Sequence, residues 1–460
     1  MKKTKVLSIF LALALLLVAV IPASAQLGDT DVSSFTVQNV SGGSTDVTVT
    51  FYAEDGTPYT PTQLDADGLI ANPFTLADGA SQQVYVPSIP EAQLPSGRYA
   101  VVISSTGQVV AQAGVAGTGS IRFSGSYIGF SAGASPTYLP SVAFNFASWY
   151  SMISVQNLGT SAADVVVTIT CADGNVGTLT QNGVPANASY TWALKNTTPT
   201  GFTASTQCDG SAEITANQPI VAVNNQNKPT TGATNTFEGA PTGAGTIYIP
   251  SLSNDFAGWN SALTIRKLSA GTTTVTVVYN DGDPNDVFDL TDASPSKKLY
   301  MPTDHVAAGR FGATITASGG GQLLAVVGTT KGGWSGATSG VLDGSSSGEV
   351  AIPNVAKAYG GWKSAINCQN VGATATTLHV EYAGYAANAY DTITSLNAGD
   401  SVQIAVFNEA FLPNTGWQGG ATITANAAGA LIACTVGNSN PDKAATNPGD
   451  WTSQYNAYNK

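Results

Sequence analysis

A two-strand pattern that recurs along the chain constrains its fold more than any other feature of the sequence. Three copies begin with tryptophan, at Trp149 (WYSMISVQNLGTSAADVVVTIT), Trp259 (WNSALTIRKLSAGTTTVTVVY) and Trp362 (WKSAINCQNVGATATTLHVEY). A fourth copy, which lacks the tryptophan, begins at Asp31 (DVSSFTVQNVSGGSTDVTVTF). Successive tryptophans lie roughly 100 residues apart, the size of one β-sandwich domain, so the sequence predicts an array of one repeated module.

Within each copy, apolar and polar residues alternate in two runs. In the second copy, Ile153 and Val155 alternate with polar residues such as Gln156, and Val165 and Val167 repeat the alternation further on. A period of two is typical of a strand with one buried face. The residues between the two runs are mostly Gly, Ser, Thr and Ala, which is a loop composition. Each copy is therefore predicted to be two strands joined by a turn.

The chain as a whole is predicted to be all-β, with four tandem immunoglobulin-like antiparallel β-sandwich modules behind a signal peptide. Short strands with turn signals about every 8–12 residues indicate seven strands in a full module. Segments 116–124, 229–235 and 332–340 are rich in Gly, Thr and Ser and are predicted to be linkers. The predicted boundaries are 1–25 for the signal peptide and 26–126, 127–236, 237–340 and 341–460 for the modules.

The N-terminal segment has the three parts of a secretory signal peptide. Basic residues come first, the apolar run Val6–Val20 follows, and Ala23-Ser24-Ala25 forms an A-x-A cleavage site. The alternative, a retained membrane anchor, requires a longer apolar run. We expect cleavage before Gln26, a secreted or cell-surface location, and no membrane span after cleavage.

The composition and the net charge limit the classes of binding partner that we expect. The formal net charge is −12 and only 10% of the residues are charged, against about a quarter in an average globular protein. A surface this acidic repels nucleic acid and anionic lipid. We therefore expect partners among other copies of the chain, cell-surface components or glycans, and no nucleic acid.

Four cysteines fall in two of the modules. In an oxidising compartment, pairing within a module is the simplest arrangement, which predicts Cys171–Cys208 and Cys368–Cys434 bridges. For the second pair, buried free thiols are the alternative. We expect the Cys368–Cys434 bridge to tie the two sheets of its module together.

The sequence offers no set of catalytic residues. The two histidines, His305 and His379, lie on different modules, and the chain lacks G-x-S-x-G and H-E-x-x-H motifs. We expect no enzymatic activity and no cofactor. Asp281, Asp283 and Asp286 concentrate oxygen ligands suited to Ca²⁺ but lack the spacing of a calcium loop, so a solvated hairpin turn is favoured over a metal site.

The tryptophans divide into two groups. Trp149, Trp259 and Trp362 share parity with the core positions of their strands, which favours packing over ligand stacking. The others have no counterparts in the other copies and are the candidate platform for a glycan: Trp192, Trp334, Trp417 and Trp451.

The run VQNLGTSAADVVVTITCADG, followed by a small-residue turn and another strand, resembles the tandem immunoglobulin-like modules of secreted bacterial cell-surface and adhesion-type proteins. The resemblance extends over nearly all of residues 26–440. It implies extracellular adhesion or scaffolding and brings no catalytic residues.

These observations predict a secreted, non-enzymatic structural protein of the cell surface or extracellular matrix. The alternatives are an adhesin or carbohydrate-binding surface protein and the accessory modules of an extracellular hydrolase system. The first module would lose its first strand with the signal peptide, which leaves an open sheet edge. We expect the tail Asp450–Lys460 of a neighbouring subunit, whose Tyr455 resembles Tyr127 and Phe237, to complete it and build a head-to-tail filament. The alternative is that Gln26–Thr30 folds back over the edge.

Overall fold

The structure is a computed structural model that describes residues 31–117, 122–444 and 449–460, together with the backbone of residues 16–20. The predicted cleavage site and the predicted fold-back of Gln26–Thr30 lie outside the described residues. Helical turns are short: α1 (Met301–Asp304), α2 (Pro441–Ala444) and the 3-10 turns Val86–Ser88, Ala386–Asn388 and Val406–Asn408. No helix in the described part has the length and apolar character needed to cross a membrane.

The predicted all-β fold with four tandem β-sandwich modules is confirmed. Module 1 contains β1 (Leu16–Val20), β2 (Asp31–Asn39), β3 (Thr45–Ala53), β4 (Pro58–Tyr59), β5 (Phe74–Leu76), β6 (Ser81–Tyr85), β7 (Tyr99–Ser105), β8 (Val109–Gly117) and β9 (Phe123–Ile128). Module 2 contains β10 (Thr137–Phe144), β11 (Tyr150–Asn157), β12 (Ala163–Cys171), β13 (Val176–Val184), β14 (Ser189–Ala193), β15 (Cys208–Ala216), β16 (Ile220–Asn227) and β17 (Thr234–Glu238).

The second half of the chain repeats this series. Module 3 contains β18 (Thr246–Asn254), β19 (Asn260–Lys267), β20 (Thr273–Tyr279), β21 (Asp286–Leu290), β22 (Ser296–Tyr300), β23 (Gly309–Ala317), β24 (Leu323–Lys331), β25 (Trp334–Ser339) and β26 (Val341–Leu342). Module 4 contains β27 (Glu349–Tyr359), β28 (Trp362–Asn370), β29 (Leu378–Tyr382), β30 (Tyr390–Asp391), β31 (Ser401–Ala405), β32 (Trp417–Ala425), β33 (Ile432–Ser439), β34 (Thr452–Asn456) and β35 (Tyr458–Asn459).

Each module is a sandwich of two antiparallel sheets. In module 2 the sheet orders are β10-β15-β12-β13 and β14-β11-β16-β17, so the first strand pairs with the sixth and the second strand lies between the fifth and the seventh. In immunoglobulin constant domains, by contrast, strands A, B, E and D share one sheet. In module 4 the two sheets join at one corner, where β27 pairs with β28.

Strands at the module junctions are buried on both faces, unlike strands on the outside of the array. β12 alternates buried and accessible residues, as a half-buried strand should. All of β16 is buried. Ile220 and Ala222 belong to the core of module 2, whereas Val221 and Val223, on the opposite face of the same strand, belong to the core of module 1. The cores of successive modules are therefore in contact through shared strands.

The recurrent Gln–Asn pair at the end of the second strand has a structural role. In module 2, Gln156 Nε2 donates to Asn187 O at 2.9 Å, and Asn157 Nδ2 donates to Ser161 O and Val184 O at 2.7 and 2.9 Å. Hydrogen bonds of the same kind are made by Gln38, Asn39, Gln369 and Asn370. The pair satisfies backbone carbonyls of the adjacent loops, which explains why the sequence repeats it.

An eighth strand in each module closes the array into a ring. We call these strands, β9, β17, β25 and β34, the central strands. Each pairs with the seventh strand of its own module. They also contact one another in a closed cycle, β9 to β17 to β25 to β34 and back to β9. The segments predicted to be flexible linkers therefore contribute to the structural centre of the molecule.

Small side chains allow the central strands to approach closely. Ser124 Oγ on β9 donates to Thr452 O on β34 at 2.8 Å, and Ser126 Oγ donates to Gln454 O at 3.1 Å. Gly125 faces β17 so closely that a Cβ at this position would overlap the hydroxyl of Thr236. A loop-like composition of Ser, Thr and Gly is what this packing requires.

The ring corrects the predicted role of the C-terminal tail. β34 pairs with β33, and β35 pairs with β27, both within module 4. Tyr455 is buried in the core of module 4, as its counterparts Tyr127 and Phe237 are buried in modules 1 and 2. The tail is the eighth strand of its own module, so it is not a free donor strand for another subunit.

The central strands also shift the predicted module boundaries. The boundaries at 126/127 and 236/237 fall inside β9 and β17, each of which pairs with the preceding module. β26, predicted to open module 4, pairs with β18 of module 3. The sequence prediction assigned the eighth strand to the linker because it counted only seven strands in each sandwich.

Both predicted disulfides are present. The Cys171–Cys208 pair has a Cα–Cα distance of 5.1 Å and the Cys368–Cys434 pair a distance of 4.1 Å. Cys368 and Cys434 are directly opposite one another on the neighbouring strands β28 and β33. This bridge therefore joins two strands of one sheet, and the prediction that it ties the two sheets of the sandwich together is wrong.

Candidate functional sites at the module junctions

Of the open grooves at junctions between modules, two contain a recurrent tryptophan. We call the groove between modules 3 and 4 groove 3/4; its volume is about 270 Å³. We call the groove between modules 4 and 1 groove 4/1; its volume is about 220 Å³. Both are somewhat smaller than typical pockets for drug-sized ligands. Each contains a recurrent tryptophan, Trp259 in groove 3/4 and Trp362 in groove 4/1.

Groove 3/4 combines aromatic rings with one cation. Phe256 and Phe407 are 40% and 39% exposed, so part of each side chain is accessible to solvent. Arg310 and Asn367 line the same groove, and Arg310 Nη1 donates to Asn367 Oδ1 at 3.3 Å. Burial lowers the pKa of the Arg310 guanidinium from its usual value. The groove therefore holds a partly desolvated positive charge beside accessible ring faces.

Groove 4/1 is lined by aromatic rings and neutral amides. Tyr359 is 50% exposed and lies in the groove with Trp362. Three side-chain amides form a series of hydrogen bonds across the junction. Gln418 Nε2 donates to Asn354 Oδ1 at 2.7 Å, and Asn354 Nδ2 donates to Gln112 Oε1 at 3.3 Å. No charged side chain lines this groove among the described residues. Its amides are engaged in holding module 4 against module 1.

The structure places the recurrent tryptophans differently from the prediction of core packing. Trp149, Trp259 and Trp362 are half-buried rather than members of the cores. Trp334 and Trp451, predicted to lack counterparts, are equivalent to one another at the starts of the central strands β25 and β34. Trp259 pairs with Trp334 at 6.1 Å between ring centroids, and Trp362 pairs with Trp451 at 6.4 Å. The equivalence was hidden because module 2 has Ala233 at this position.

The other two tryptophans pack within their modules. Trp192 is 4% exposed and belongs to the core of module 2, so it cannot serve as the predicted ligand platform. Trp417 packs edge-on against Tyr382 and Tyr385, with ring centroids 5.6 and 6.0 Å away. The aromatic residues that remain candidates for ligand binding are therefore those that line the two grooves.

Only two of the three calcium candidates come together. Asp281 Oδ2 and Asp283 Oδ2 lie 2.8 and 3.2 Å from His305 Nε2, which the sequence did not place with them. Asp286 instead accepts a hydrogen bond from the Tyr279 hydroxyl at 2.6 Å. The second candidate histidine, His379, pairs with Asp391 at 2.8 Å.

Asp281, Asp283 and His305 form a clasp between a hairpin and a turn. The His305 ring stacks on Phe311 with its centroid 3.9 Å away. Asp283 Oδ2 accepts the backbone N–H groups of Val306 and Ala307 at 2.8 Å, and the hydrogen bond from Ala307 lowers the pKa of this carboxyl most. The potential ligand atoms lie within 4.8 Å of one another. The hydrogen bonds already made join the β20–β21 turn to the segment after α1.

One buried and one half-buried carboxyl group hold the central strands together. Asp450, which is 0% exposed, accepts backbone N–H groups from Thr234 and Ser335 at 2.9 and 2.8 Å and from Thr452 at 3.0 Å. These donors belong to modules 2, 3 and 4. Glu238 accepts the Ile128 N–H from module 1 at 2.6 Å and the Ser339 hydroxyl from module 3 at 3.2 Å. Burial raises the pKa of both carboxyl groups, and their hydrogen bonds oppose that shift.

We expect Glu238→Gln to make the stability of the ring less dependent on pH. Because the folded pKa of Glu238 lies above its unfolded value, its contribution to stability is fully present below the unfolded pKa and is lost as the pH rises through the folded value. The amide cannot ionise, so the variant should gain stability relative to the wild type between pH 4.5 and neutral pH. Urea unfolding across this range measures the difference. The exposed Glu91→Gln variant is the control, and equal pH profiles for Glu238→Gln and wild type would contradict the assignment.

Comparisons with known proteins give no family for this chain. No family model matches it, and no curated protein sequence does. A solved structure of α-L-rhamnosidase from Streptomyces avermitilis, in complex with L-rhamnose, is 8% identical with a TM-score of 0.14, and the match covers 89% of this chain and 54% of that one. The native conformation of α-2-macroglobulin from E. coli is 10% identical with a TM-score of 0.13, over 97% of this chain and 40% of that one. Similarities of this size carry no argument about fold or function.

Proposed function

We propose that the protein is a secreted, non-enzymatic structural protein of the cell surface or extracellular matrix, whose ring is the building block of a larger assembly. The observation that carries the proposal is the position of β1, which pairs with β7. This position is that of the first strand in the other modules, where β10, β18 and β27 pair with β15, β23 and β32. Removal of the signal peptide before Gln26 takes β1 away and opens a sheet edge on an otherwise closed ring.

The other modules indicate what the open position accepts. Leu17 and Ala19 oppose Ile103 and Val101 in the register of module 1. The residues at the same register positions in modules 3 and 4 are fully or almost fully buried: Ile247, Ile249, Val350 and Ile352. The position thus takes an extended segment with bulky apolar side chains at alternate residues. A sheet edge completed by such a segment gains both main-chain hydrogen bonds and side-chain specificity.

The donor segment is proposed to come from a neighbouring polypeptide. Residues 450–460 are engaged in module 4, so the tail is not available. After the proposed cleavage, residues 26–30 precede β2, and their placement lies outside the described residues. Assembly through this edge needs no catalytic group, in agreement with a structural role.

The test compares three purified chains in the electron microscope and by light scattering. The mature chain 26–460 should either assemble or keep the edge at β7 free to pair with a donor segment. A chain 16–460 carrying Ala19→Ile should fill its own edge and stay monomeric. The matched control, the same chain with Leu17→Asp and Ala19→Asp, should behave like the mature chain. Monomers of the mature chain with a fully protected β7 in hydrogen exchange would contradict the proposal, and N-terminal sequencing of the secreted protein checks the cleavage separately.

A second candidate function, glycan binding at the cell surface, is favoured by groove 3/4. Its accessible rings Phe256 and Phe407, together with the guanidinium of Arg310, are features that a building block does not need. Aromatic faces and a few convergent polar groups are typical of small-molecule sites. Glycan-array binding that is lost with Phe256→Ala, while the equivalent Phe146→Ala in module 2 binds normally, would support this candidate.

A further inference from the structure

At the junctions of module 2 with module 3 and of module 3 with module 4, the residues that face one another occupy the same two register positions of the sandwich. One lies at the start of the sixth strand, where Asp209, Arg310 and Gln418 oppose Ala143, Ser253 and Ala356. The backbone N–H of each of these opposed residues, Ala143, Ser253 and Ala356, donates to a serine hydroxyl on the second strand, which fixes the equivalence. The other lies on the fifth strand of the next module, where Lys298 and Gln403 oppose Thr264 and Asn367.

At the junction of modules 2 and 3, these positions form an ion pair. Lys298 Nζ lies 2.6 Å from both carboxylate oxygens of Asp209. The same ammonium group lies 5.7 Å from the centroid of the Phe146 ring. Opposite charges neutralise one another across this junction, and the lysine ammonium group lies near Phe146, the phenylalanine that corresponds to Phe256.

At the junction of modules 3 and 4, the same positions leave a positive charge without a counter-charge. Arg310 replaces the aspartate and Gln403 replaces the lysine. Gln403 Nε2 donates to Asn367 Oδ1 at 3.1 Å, the same oxygen that accepts from Arg310. Within the described ranges, no carboxylate oxygen lies within 4.0 Å of the Arg310 guanidinium. A guanidinium has five N–H donors in a planar fork that matches a carboxylate, and most of them are available here.

The rest of groove 3/4 suits a sugar ring. Phe256 and Phe407 line the groove and are 40% and 39% exposed, and Trp259 adds a third aromatic side chain. The remaining lining is mostly hydroxyl and amide groups, which donate to and accept from sugar hydroxyls: Ser251, Ser253, Thr329, Thr338, Asn438 and Gln454. No acidic side chain lines the groove among the residues that the structure describes. The overall charge of the chain is −12, so this local cation stands out against an acidic surface.

We propose that groove 3/4 binds a saccharide unit that carries a carboxylate. The Arg310 guanidinium pairs with the carboxylate, the rings of Phe256 and Phe407 contact the apolar face of the sugar, and the amides take its hydroxyl groups. The inference deepens the second candidate function and does not depend on assembly through module 1.

The test uses the mature chain and three trisaccharide probes in isothermal titration calorimetry. Trigalacturonic acid should bind one site per chain, and its neutral methyl ester should bind about tenfold or more weakly, because a charge-assisted pair is lost. The third probe, an otherwise neutral trisaccharide that carries a sulfate group, shows whether the groove prefers a carboxylate or a sulfate. Tighter binding of the sulfated probe would overturn the assignment to a carboxylate, and equal binding of the methyl ester would overturn the role of charge.

A double variant separates binding from folding. Arg310→Asp with Gln403→Lys recreates the ion pair of the neighbouring junction, so the variant should fold with an unchanged melting temperature and lose binding of trigalacturonic acid. Arg310→Gln is the second variant, in case the double variant fails to fold. Undiminished binding by a folded variant, or no binding of any acidic probe by the wild type, would overturn the inference. Assembly depends on the sheet edge of module 1 and not on this groove. If the mature chain assembles but binds no acidic probe, the saccharide site is rejected and the proposed structural function is not.

Discussion

Replacing Asp450 with alanine is expected to lower the free energy of unfolding by about 3–5 kcal/mol, because several buried N–H groups lose their acceptor at once. The Thr234 and Ser335 N–H groups both donate to Asp450 Oδ2. Urea denaturation measures the loss, and small-angle scattering shows whether the ring opens.

Asp442 on α2 provides the matched control for this variant. It is exposed, so Asp442→Ala should change the free energy of unfolding by no more than about 0.5 kcal/mol. If Asp450→Ala unfolds at the same urea concentration as Asp442→Ala and keeps the scattering profile of the wild type, the proposed role of Asp450 in closing the ring is wrong.

Removal of the Cys368–Cys434 bridge should cost about 4 kcal/mol, the loop-entropy value for a closed loop of this size. The two cysteines are separated by 66 positions in the chain, and both side chains are buried in the core of module 4. We expect the double variant Cys368→Ala with Cys434→Ala to lower the melting temperature of module 4 in calorimetry. The variant should remain folded at 25 °C, because the core contacts around both positions persist.

The Cys171–Cys208 bridge provides the comparison. It spans 37 positions, so the chain-entropy argument predicts a slightly smaller loss for Cys171→Ala with Cys208→Ala. Wild type treated with a reducing agent should reproduce the sum of both variants. A reduced protein that melts like the oxidised one would show that neither bridge contributes to stability.

The strands were predictable from the sequence because each has a local pattern. Val165 and Val167 alternate with exposed residues in β12, and the same alternation marks the third strand of every module. The cysteine pairs were predictable because each module has two cysteines or none. The central strands were missed because Ser124 and Gly125 have the composition of a linker, and only the approach of another module turns that segment into a buried strand.

The candidate site, like the fold, could be predicted only in part from the sequence. Sequence reasoning selected isolated tryptophans, and Trp192 proved to be a core residue. Arg310 was not selected, because its meaning depends on the residue that faces it from another module. A comparison of the sixth strands, in which Asp209, Arg310 and Gln418 share one position, contained the signal. Its interpretation required knowledge that this position faces the fifth strand of the next module.

Closure of the ring also imposes an order on folding during synthesis. Arg122 pairs with Gly449, and Ser124 donates to Thr452, so the first module meets the last residues of the chain. Domains generally fold in the order in which the chain emerges. The first three modules must therefore fold before the ring can close. The polar edge of β9 stays uncovered until residues 449–456 have been synthesised. A chain truncated before Gly449 lacks the partners of Arg122 and Ser124, so its ring cannot close in this way.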